Sequence, residues 1–265
     1  MGIAPSVAMA YSAATNSSVA VTNNPLPIVD KSLLDKGIIA VNYGKKKDVK
    51  TIVRITKDKV SYDYDLIQGM KYPLQLGNGQ YTIWIAELVG GTQYKVVAKD
   101  IVNVQLKNNT DVFLQSIELI DWEDAPDIAA KAKALVKKAK TDKEKVTAIY
   151  SYIIKNIRYD YNKAKTIKTG YIPDLDVILK DSKGICYDYA ATFAAMLRSQ
   201  GIPTKMVMGY QTDDLKTYHA WNEVFLKASN EWITIDTTYD AIRVQGGQAT
   251  KMIQKKENYK TSKIY

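Results

Sequence analysis

The sequence predicts an α+β protein with two domains: an antiparallel β-sandwich-like domain over residues 25–121, followed by a mixed α+β domain over residues 122–265. Two observations lead to this prediction. Apolar and polar residues alternate with a period of two between about residues 27 and 120, with glycine-containing turns between the runs. From Pro126 onward, apolar residues instead recur at helical spacing.

The first domain is predicted to contain about six short strands and no helix. Tyr81, Ile83 and Ile85 alternate with less apolar neighbours, and Gly90-Gly91 marks a tight turn shortly after them. A second alternating run begins at Val102. The other predicted strands are Ile38–Tyr43, Thr51–Thr56, Val60–Leu66 and Tyr94–Ala98. Short strands separated by turns are typical of a small antiparallel sandwich.

The second domain is predicted to open with two helices between about residues 127 and 157. Pro126 suits a first helical turn, with Asp124 as a candidate cap. Thr141 and Glu144 have the spacing of a capping box, which predicts the start of the second helix. A further helix is predicted over residues 186–200, where Gly201 ends it.

The N-terminal residues 1–24 are rich in Ala, Ser, Thr and Asn, and we expect them to be unpacked. Ala8-Met9-Ala10 has the small-x-small form of a signal-peptidase site, which predicts a secreted or cell-surface protein. The alternative is a polar, disordered N-terminus that happens to contain several alanines. No apolar run reaches the roughly 18 residues of a membrane-spanning helix, so none is predicted.

Composition excludes several classes of function. The net charge is +9, but only four of the 37 basic residues are arginine, which is a poor composition for specific nucleic-acid recognition. The lysines are expected to form solvated faces, with weak attraction to an anionic surface such as a cell wall as the alternative. A single Cys and a single His exclude an internal disulfide and a multi-thiolate zinc site, and the chain lacks the glycine-rich loops that bind nucleotides. We therefore expect no metal and no cofactor.

The single cysteine and the single histidine both lie in settings that suit nucleophilic catalysis. Cys186 falls in the first turn of a predicted helix, where unpaired N–H groups and the helix dipole favour a thiolate. His219 lies in the predicted strand His219–Val224, and Asp236 closes the next strand. If these strands pair through the turn at residues 227–230, the numbers of opposed residues sum to about 455–457, which brings His219 to Asp236 or within two residues of it. Each residue alone also has an ordinary structural interpretation: a buried small side chain, a packed imidazole and a turn-forming acid.

Four segments surround the three candidate residues, namely Gly184–Ala190, Leu197–Lys205, His219–Val224 and Trp232–Thr238. In this order they resemble the core of bacterial transglutaminase-like proteins, and the resemblance covers about residues 127–240. The resemblance implies a papain-like α+β core, with Cys186 as nucleophile, His219 as base and Asp236 as the carboxylate that orients the base. Thr237 stands where the family usually has proline.

Residues around this core receive weaker assignments. Animal transglutaminases use an indole upstream of the cysteine as a second oxyanion donor, but no Trp lies between Trp122 and Cys186. The candidates that remain are the hydroxyls of Tyr159, Tyr161 and Tyr171, each of which has simple packing or surface exposure as its alternative. Trp221 is expected to pack beside the site and shape it. Asp188 is expected to stabilise the helix that begins at Cys186.

These observations predict a cysteine-dependent acyl-transfer enzyme that acts on amide bonds of peptides or proteins through a thioester. A peptidase or amidase is preferred, because the chain lacks the upstream tryptophan that would help to exclude water from a cross-linking site. The alternatives are a protein-glutamine transamidase and a non-catalytic surface binding module with a vestigial triad. The expected partner is a peptide or protein substrate, associated with the cell wall if the protein is exported. The oligomeric state stays open.

Overall fold

The computed structural model describes residues 28–44, 46–168 and 170–265. The described chain divides into two compact units between Val112 and Phe113. This division lies before the predicted boundary at 121–122, because residues 113–121 pack within the C-terminal unit. The Phe113 ring meets the Trp232 ring edge-on with centroids 5.5 Å apart, and Arg198 donates to the Gln115 carbonyl at 2.8 Å. Residues 1–24 and the Ala8-Met9-Ala10 segment lie outside the described residues.

The N-terminal unit consists of antiparallel strands. They are β1 (Val29–Asp30), β2 (Ile38–Val41), β3 (Thr51–Lys57), β4 (Val60–Asp65), β5 (Lys71–Pro73), β6 (Gly79–Gly90) and β7 (Gln93–Val104). In the described residues they form a sheet of order β1-β2-β5 and a second of order β4-β3-β6-β7. The Tyr64 and Tyr72 rings of the two sheets meet edge-on at 5.5 Å, and Gln75 donates to the Tyr64 hydroxyl at 2.9 Å. The unit is therefore a small two-sheet, sandwich-like structure.

Strand β7 replaces two strands that the sequence predicts separately, Tyr94–Ala98 and the run that begins at Val102. It pairs with β6 along its length, from Gly79↔Val104 to Gly90↔Gln93. A register shift at Ile85/Ala86 interrupts the pairing, and such a bulge changes which side chains face the core. The interrupted alternation makes one long strand look like two in the sequence.

The C-terminal unit contains both helices and strands. The helices are α1 (Pro126–Leu135), α2 (Asp142–Asn156), α3 (Tyr161–Thr166), α4 (Leu175–Asp181), α5 (Cys186–Arg198) and α6 (Thr237–Gln245). The strands are β8 (Arg158–Tyr159), β9 (Lys183–Gly184), β10 (Thr204–Gln211), β11 (Asp214–Leu226), β12 (Glu231–Ile235) and β13 (Tyr259–Ile264). In the described part of this unit, an antiparallel sheet has the order β12-β11-β10-β13, and β8 pairs in parallel with β9. The chain thus has the predicted α+β class.

The capping residues predicted from the sequence are present at the start of α2 but not at the start of α1. Helix α2 begins with the capping box, in which Thr141 Oγ1 accepts the Glu144 N–H and the Glu144 carboxylate accepts the Thr141 N–H, each at 3.2 Å. Helix α1 starts after Ala125 with no capping side chain, so Asp124 is not its cap. Asp176 of α4 instead accepts the Ile128 N–H at 3.0 Å. A contact with a residue so distant in sequence cannot be seen in a local motif.

Helix α5 lies at the centre of the C-terminal unit, buried from Tyr189 to Arg198. Ala190, Ala191, Ala194 and Ala195 let neighbouring elements approach closely, and Asn222 of β11 donates to the Ala190 carbonyl at 2.9 Å. The helix is thereby held against the sheet, which fixes its N-terminal residue Cys186. None of the helices in the described ranges is long and apolar enough to cross a membrane.

Candidate active site

Cys186 and His219 line a shared cavity of about 170 Å³ in the C-terminal unit. Cys186 is the first residue of α5 and is 7% exposed. Its neighbours in the cavity wall come from β8, α3, β10, β11 and α6. They are Tyr159, Ala164, Ile185, Gln211, Thr217, Tyr218, Thr238, Tyr239 and Ile242. Apart from the titratable Cys186, His219 and tyrosines, this wall is neutral.

Asp236 binds His219 directly: His219 Nε2 lies 2.7 Å from Asp236 Oδ2. Strands β11 and β12 pair Asn222 with Ile235 and Val224 with Ile233, the register at the upper end of the predicted range. Beyond Ile235 the chain turns into α6, and Asp236 is the N-cap of that helix rather than the end of a strand. Its Oδ1 accepts the Tyr239 N–H at 3.0 Å, which leaves Oδ2 for the imidazole.

The environment of His219 favours its charged form. Burial lowers the pKa of His219, but the charge and hydrogen bond of Asp236 and the contact with Cys186 outweigh it, and the pKa lies well above its usual value. Because Nε2 is engaged by Asp236, the ring nitrogen that remains for the Cys186 sulfur is Nδ1. The three predicted residues therefore form one connected group.

Asp236 has two further donors that the sequence analysis missed. The Tyr259 hydroxyl of β13 donates to Oδ2 at 3.1 Å, and Gln211 Nε2 donates to the same oxygen at 3.4 Å. Burial, followed by the charge of Asp236, raises the pKa of Tyr259, so its hydroxyl stays protonated and able to donate. Since neither residue lies in a recognisable motif, only the three-dimensional arrangement reveals them.

One sequence signal does indicate the close approach of β13. Gly209 interrupts the apolar pattern of β10 and lies opposite His219 in the strand pairing. A Cβ atom at Gly209 would overlap the Lys260 carbonyl oxygen of β13 and lie 3.0 Å from the Trp221 ring. Glycine within a strand marks such a close backbone approach.

Trp221 packs beside His219 and is not part of the cavity wall. The residue is 1% exposed and does not line the cavity. Its ring lies 6.3 Å from the His219 ring, with an interplanar angle of 24°, and 4.9 Å from the Tyr259 ring. It packs between the two side chains that flank Asp236.

The three candidate tyrosines have different positions. Tyr159 lines the cavity, and burial together with the charge of Cys186 raises its pKa to about 12, which keeps the hydroxyl protonated near neutral pH. Tyr161 lies outside the cavity wall and is 63% exposed. The Tyr171 hydroxyl also lies outside and donates to Asp188 Oδ1 at 2.8 Å. Of the three, Tyr159 alone shares the cavity wall with Cys186, so the proposal of a second oxyanion donor is kept for Tyr159 and not for Tyr161 or Tyr171.

Asp188 accepts the Ile185 N–H at 2.9 Å, so it stabilises the start of α5 as predicted. Its carboxylate also binds Lys163 Nζ at 2.6 Å, and its side chain is fully buried. Lys163 lies on α3 and has no sequence motif of its own that predicts this contact. Among the described residues, no group of three or more His, Cys, Asp or Glu side chains is arranged to hold a metal ion.

Comparison with known proteins finds a family model that matches the region of this site. The model of the transglutaminase-like superfamily core matches residues 129–237. A 118-residue stretch, 40% of the chain, is 36% identical to the UPF0252 protein MJ1282 of Methanocaldococcus jannaschii and covers 33% of that protein. A 114-residue stretch, also 40% of the chain, is 32% identical to the human kyphoscoliosis peptidase and covers 17% of it.

A shorter match of 75 residues, 24% of the chain, is 32% identical to the protein-glutamine gamma-glutamyltransferase of Pseudomonas aeruginosa and covers 11% of it. The chain thus spans a third or less of the length of these curated relatives. The matched core contains all three residues of the Cys-His-Asp group. Residues 129–237 are therefore similar to the core of the transglutaminase-like superfamily, which includes cysteine proteases and transglutaminases.

Proposed function

We propose that this protein is a cysteine-dependent hydrolase of amide bonds in peptides or proteins, with Cys186 as nucleophile, His219 as base and Asp236 as the orienting carboxylate. The observation that carries the proposal is the position of His219. Its Nε2 is held by the buried Asp236 at 2.7 Å, and its ring contacts the one thiol of the chain at the wall of a shared cavity. A nucleophile, a base and an orienting group in contact form the recurring arrangement of nucleophilic catalysis.

The proposed reaction proceeds through a thioester. His219 Nδ1 takes the proton of the Cys186 thiol, and the sulfur attacks the amide carbonyl carbon. The tetrahedral intermediate collapses with cleavage of the C–N bond, and the amine leaves with the proton that His219 returns. Water, deprotonated by His219, then attacks the thioester and releases the acid and the free thiol. Backbone N–H groups in the first turn of α5 would stabilise the oxyanion, with the Tyr159 hydroxyl as the second donor.

Hydrolysis is preferred over transfer to an amine because of the character of the cavity wall. A dedicated transamidase must protect its thioester from water until an amine binds. Here Tyr239 and Ile242 at the rim are 41% and 44% exposed, and Trp221 is buried beneath the site rather than placed over it. The matching stretch in the Pseudomonas aeruginosa gamma-glutamyltransferase favours transamidation as the second candidate.

The location and the substrate are also proposals. The Ala8-Met9-Ala10 segment supports a secreted or cell-surface protein. The net charge of +9 supports attraction to an anionic cell wall, where the substrate would be a peptide or a wall-associated protein.

In the test, the full chain is incubated with a library of glutamine-containing peptides and a labelled primary amine. The products of hydrolysis and of amine incorporation are both followed by mass spectrometry. Cleavage or deamidation that disappears in Cys186→Ala is the expected result. Amine incorporation well above hydrolysis would overturn the preference for a hydrolase while leaving the three catalytic roles intact. No turnover, together with alkylation of Cys186 no faster than that of a free cysteine, would instead identify a non-catalytic module.

A further inference from the structure

Asp188 places a buried carboxylate in the same helical turn as the proposed nucleophile. It lies two residues after Cys186, and its side chain is fully buried. A Cβ atom at Gly184 would lie 2.7 Å from the Asp188 Cβ, so the side chain packs directly against the backbone of β9. An anion at this position opposes the formation of a thiolate at Cys186 unless a cation neutralises it.

Lys163 supplies that cation from α3. Its Nζ lies 2.6 Å from Asp188 Oδ2 and 2.6 Å from the Tyr171 hydroxyl, and it also lies over the Tyr171 ring at 4.3 Å from the centroid. The Lys163 side chain is 25% exposed, whereas Asp188 is closed to solvent. Three contacts with two residues hold the ammonium group in one place, whereas a solvated surface lysine is free to move.

The charge of Asp188 acts on a residue of the cavity wall. Burial raises the pKa of Tyr159, and the charges of both Cys186 and Asp188 add to the increase, so the Tyr159 hydroxyl is in electrostatic range of both groups. The titratable and charged groups around Cys186 come from several elements. They are Tyr159 on β8, Lys163 on α3, Asp188 on α5, Tyr218 and His219 on β11, and Asp236 and Tyr239 at the start of α6. Among them, Lys163 is the cation that directly pairs with Asp188.

We propose that Lys163 and Asp188 are positioning residues that set the charge at the start of α5 and so determine the pH at which Cys186 becomes reactive. Asp188 holds the Ile185 amide in place, and Lys163 cancels the negative charge that this anchor introduces. The inference rests on the proposed function only in taking Cys186 as the nucleophile. Alkylation of the thiol tests it without any substrate, so its failure is distinct from a failure to find turnover.

The experiment measures the rate of alkylation of full-length protein by iodoacetamide, a neutral reagent, between pH 5 and 10. Because Cys186 is the one cysteine of the chain, the rate reports on this thiol alone. Lys163→Met is expected to shift the rate profile to higher pH, and Asp188→Asn is expected to shift it to lower pH. At a pH below the midpoint, the rate should therefore fall by a factor of about three or more in Lys163→Met and rise by a similar factor in Asp188→Asn. Lys163→Arg and the double variant Lys163→Met/Asp188→Asn are expected to stay near the wild-type profile. Lys165→Met, on the exposed side of α3, controls for the change in net charge.

The opposite signs make the test decisive. A merely structural role for the ion pair would move both single variants in the same direction, because each would loosen the start of α5. Shifts of the same sign, or unchanged profiles in both variants, would therefore overturn the proposal. Lys163→Met leaves the buried Asp188 carboxylate without its cation and can therefore fail to fold. In that case the Asp188→Asn and double variants, which both lack this carboxylate, still test the proposal. The profile of Asp188→Asn must shift to lower pH, and that of the double variant must stay near the wild type.

Discussion

Replacement of Asp236 by Asn should reverse the tautomer of His219, and the structure provides the reason. Asp236 Oδ2 faces three donors, namely His219 Nε2, the Tyr259 hydroxyl and the Gln211 amide. An amide NH₂ group cannot accept from any of them, so Asn must present its oxygen to some donors and lose others. The imidazole can satisfy Asn by moving its proton to Nδ1, where it points at the sulfur and can no longer accept the thiol proton.

The same contacts set the size of the expected losses of activity and stability in Asp236→Asn. Turnover should fall by about 10³–10⁴-fold, as occurs when the orienting carboxylate of a catalytic triad becomes an amide. The alkylation rate of Cys186 near neutral pH should fall by more than about tenfold, because the thiol loses its proton acceptor. The free energy of unfolding should fall by about 1–3 kcal/mol for a donor left without an acceptor. The N-cap of α6 is retained, because Asn caps a helix as well as Asp does. The stability loss is therefore too small to account for the loss of reactivity.

The assay uses the fact that the chain has a single histidine, so ¹⁵N-labelled histidine gives one imidazole signal. Above the folded pKa of His219, where the ring is neutral, the wild type should show its one ring proton on Nε2, and Asp236→Asn should show it on Nδ1. Asp240→Asn is the matched control, because Asp240 lies one turn later on α6, is equally buried, and binds Tyr150 at 2.9 Å instead of His219. A variant that keeps the Nε2 proton and loses less than tenfold in alkylation rate would refute the reasoning.

The pH dependence of stability gives a second readout for the same variant. The folded-state pKa of His219 is raised above its unfolded value, so the charged imidazolium adds stability that is complete below about pH 6.5 and is lost as the pH rises through the folded pKa. Asp236→Asn removes the main cause of this increase. The stability difference between wild type and variant, measured by urea unfolding, should therefore be largest near pH 5–6 and shrink in more alkaline solution.

Three further predictions concern other residues of the C-terminal unit. Tyr259→Phe keeps the ring against Trp221 but removes the hydroxyl that donates to Asp236, so kcat should fall several-fold while KM stays unchanged. Steady-state kinetics on a cleaved peptide measure both constants, and a change in KM with kcat unchanged would contradict this prediction. Thr141→Ala removes the cap of α2 and should cost about 1 kcal/mol in urea unfolding, whereas no measurable loss would contradict the capping box. Burial raises the pKa of Asp240, so wild-type stability should decline as the pH rises from about 3.9 through the folded pKa, and Asp240→Asn should lack this decline.

The local parts of the site could be predicted from the sequence because each depends on short-range rules. Gly201 ends α5 with a φ of +76°, the left-handed conformation that favours glycine. The pairing of Asn222 with Ile235 follows from the length of the turn between β11 and β12. Together these rules place Cys186 at a helix start and bring His219 close to Asp236, which is most of the geometry that the proposed chemistry needs.

The remaining parts depend on contacts between segments far apart in the chain. Tyr171 looked like an oxyanion donor, but its hydroxyl is bound by Asp188 and Lys163, and nothing near Tyr171 in the sequence indicates those partners. Helix α6 was not predicted, although Asp236 followed by two threonines fits a helix start as well as a strand end. Tyr259 joins the site only because β13 returns to pair with β10, a long-range pairing that periodicity does not encode.

The glycine at position 209 has a consequence for reading related sequences. Since any side chain there would collide with the backbone of β13, a relative can carry an equivalent strand in this position only if it also has glycine at the matching site. Chains with a larger residue at that site should have lost or displaced the strand, and with it the tyrosine that donates to the carboxylate. The residue at this one position therefore divides relatives into two groups. In the first group, the aspartate equivalent to Asp236 can accept a hydrogen bond from a tyrosine on a strand like β13. In the second group, the aspartate must have other hydrogen-bond donors. A solved relative with alanine at the site and an undisturbed strand beside it would contradict this rule.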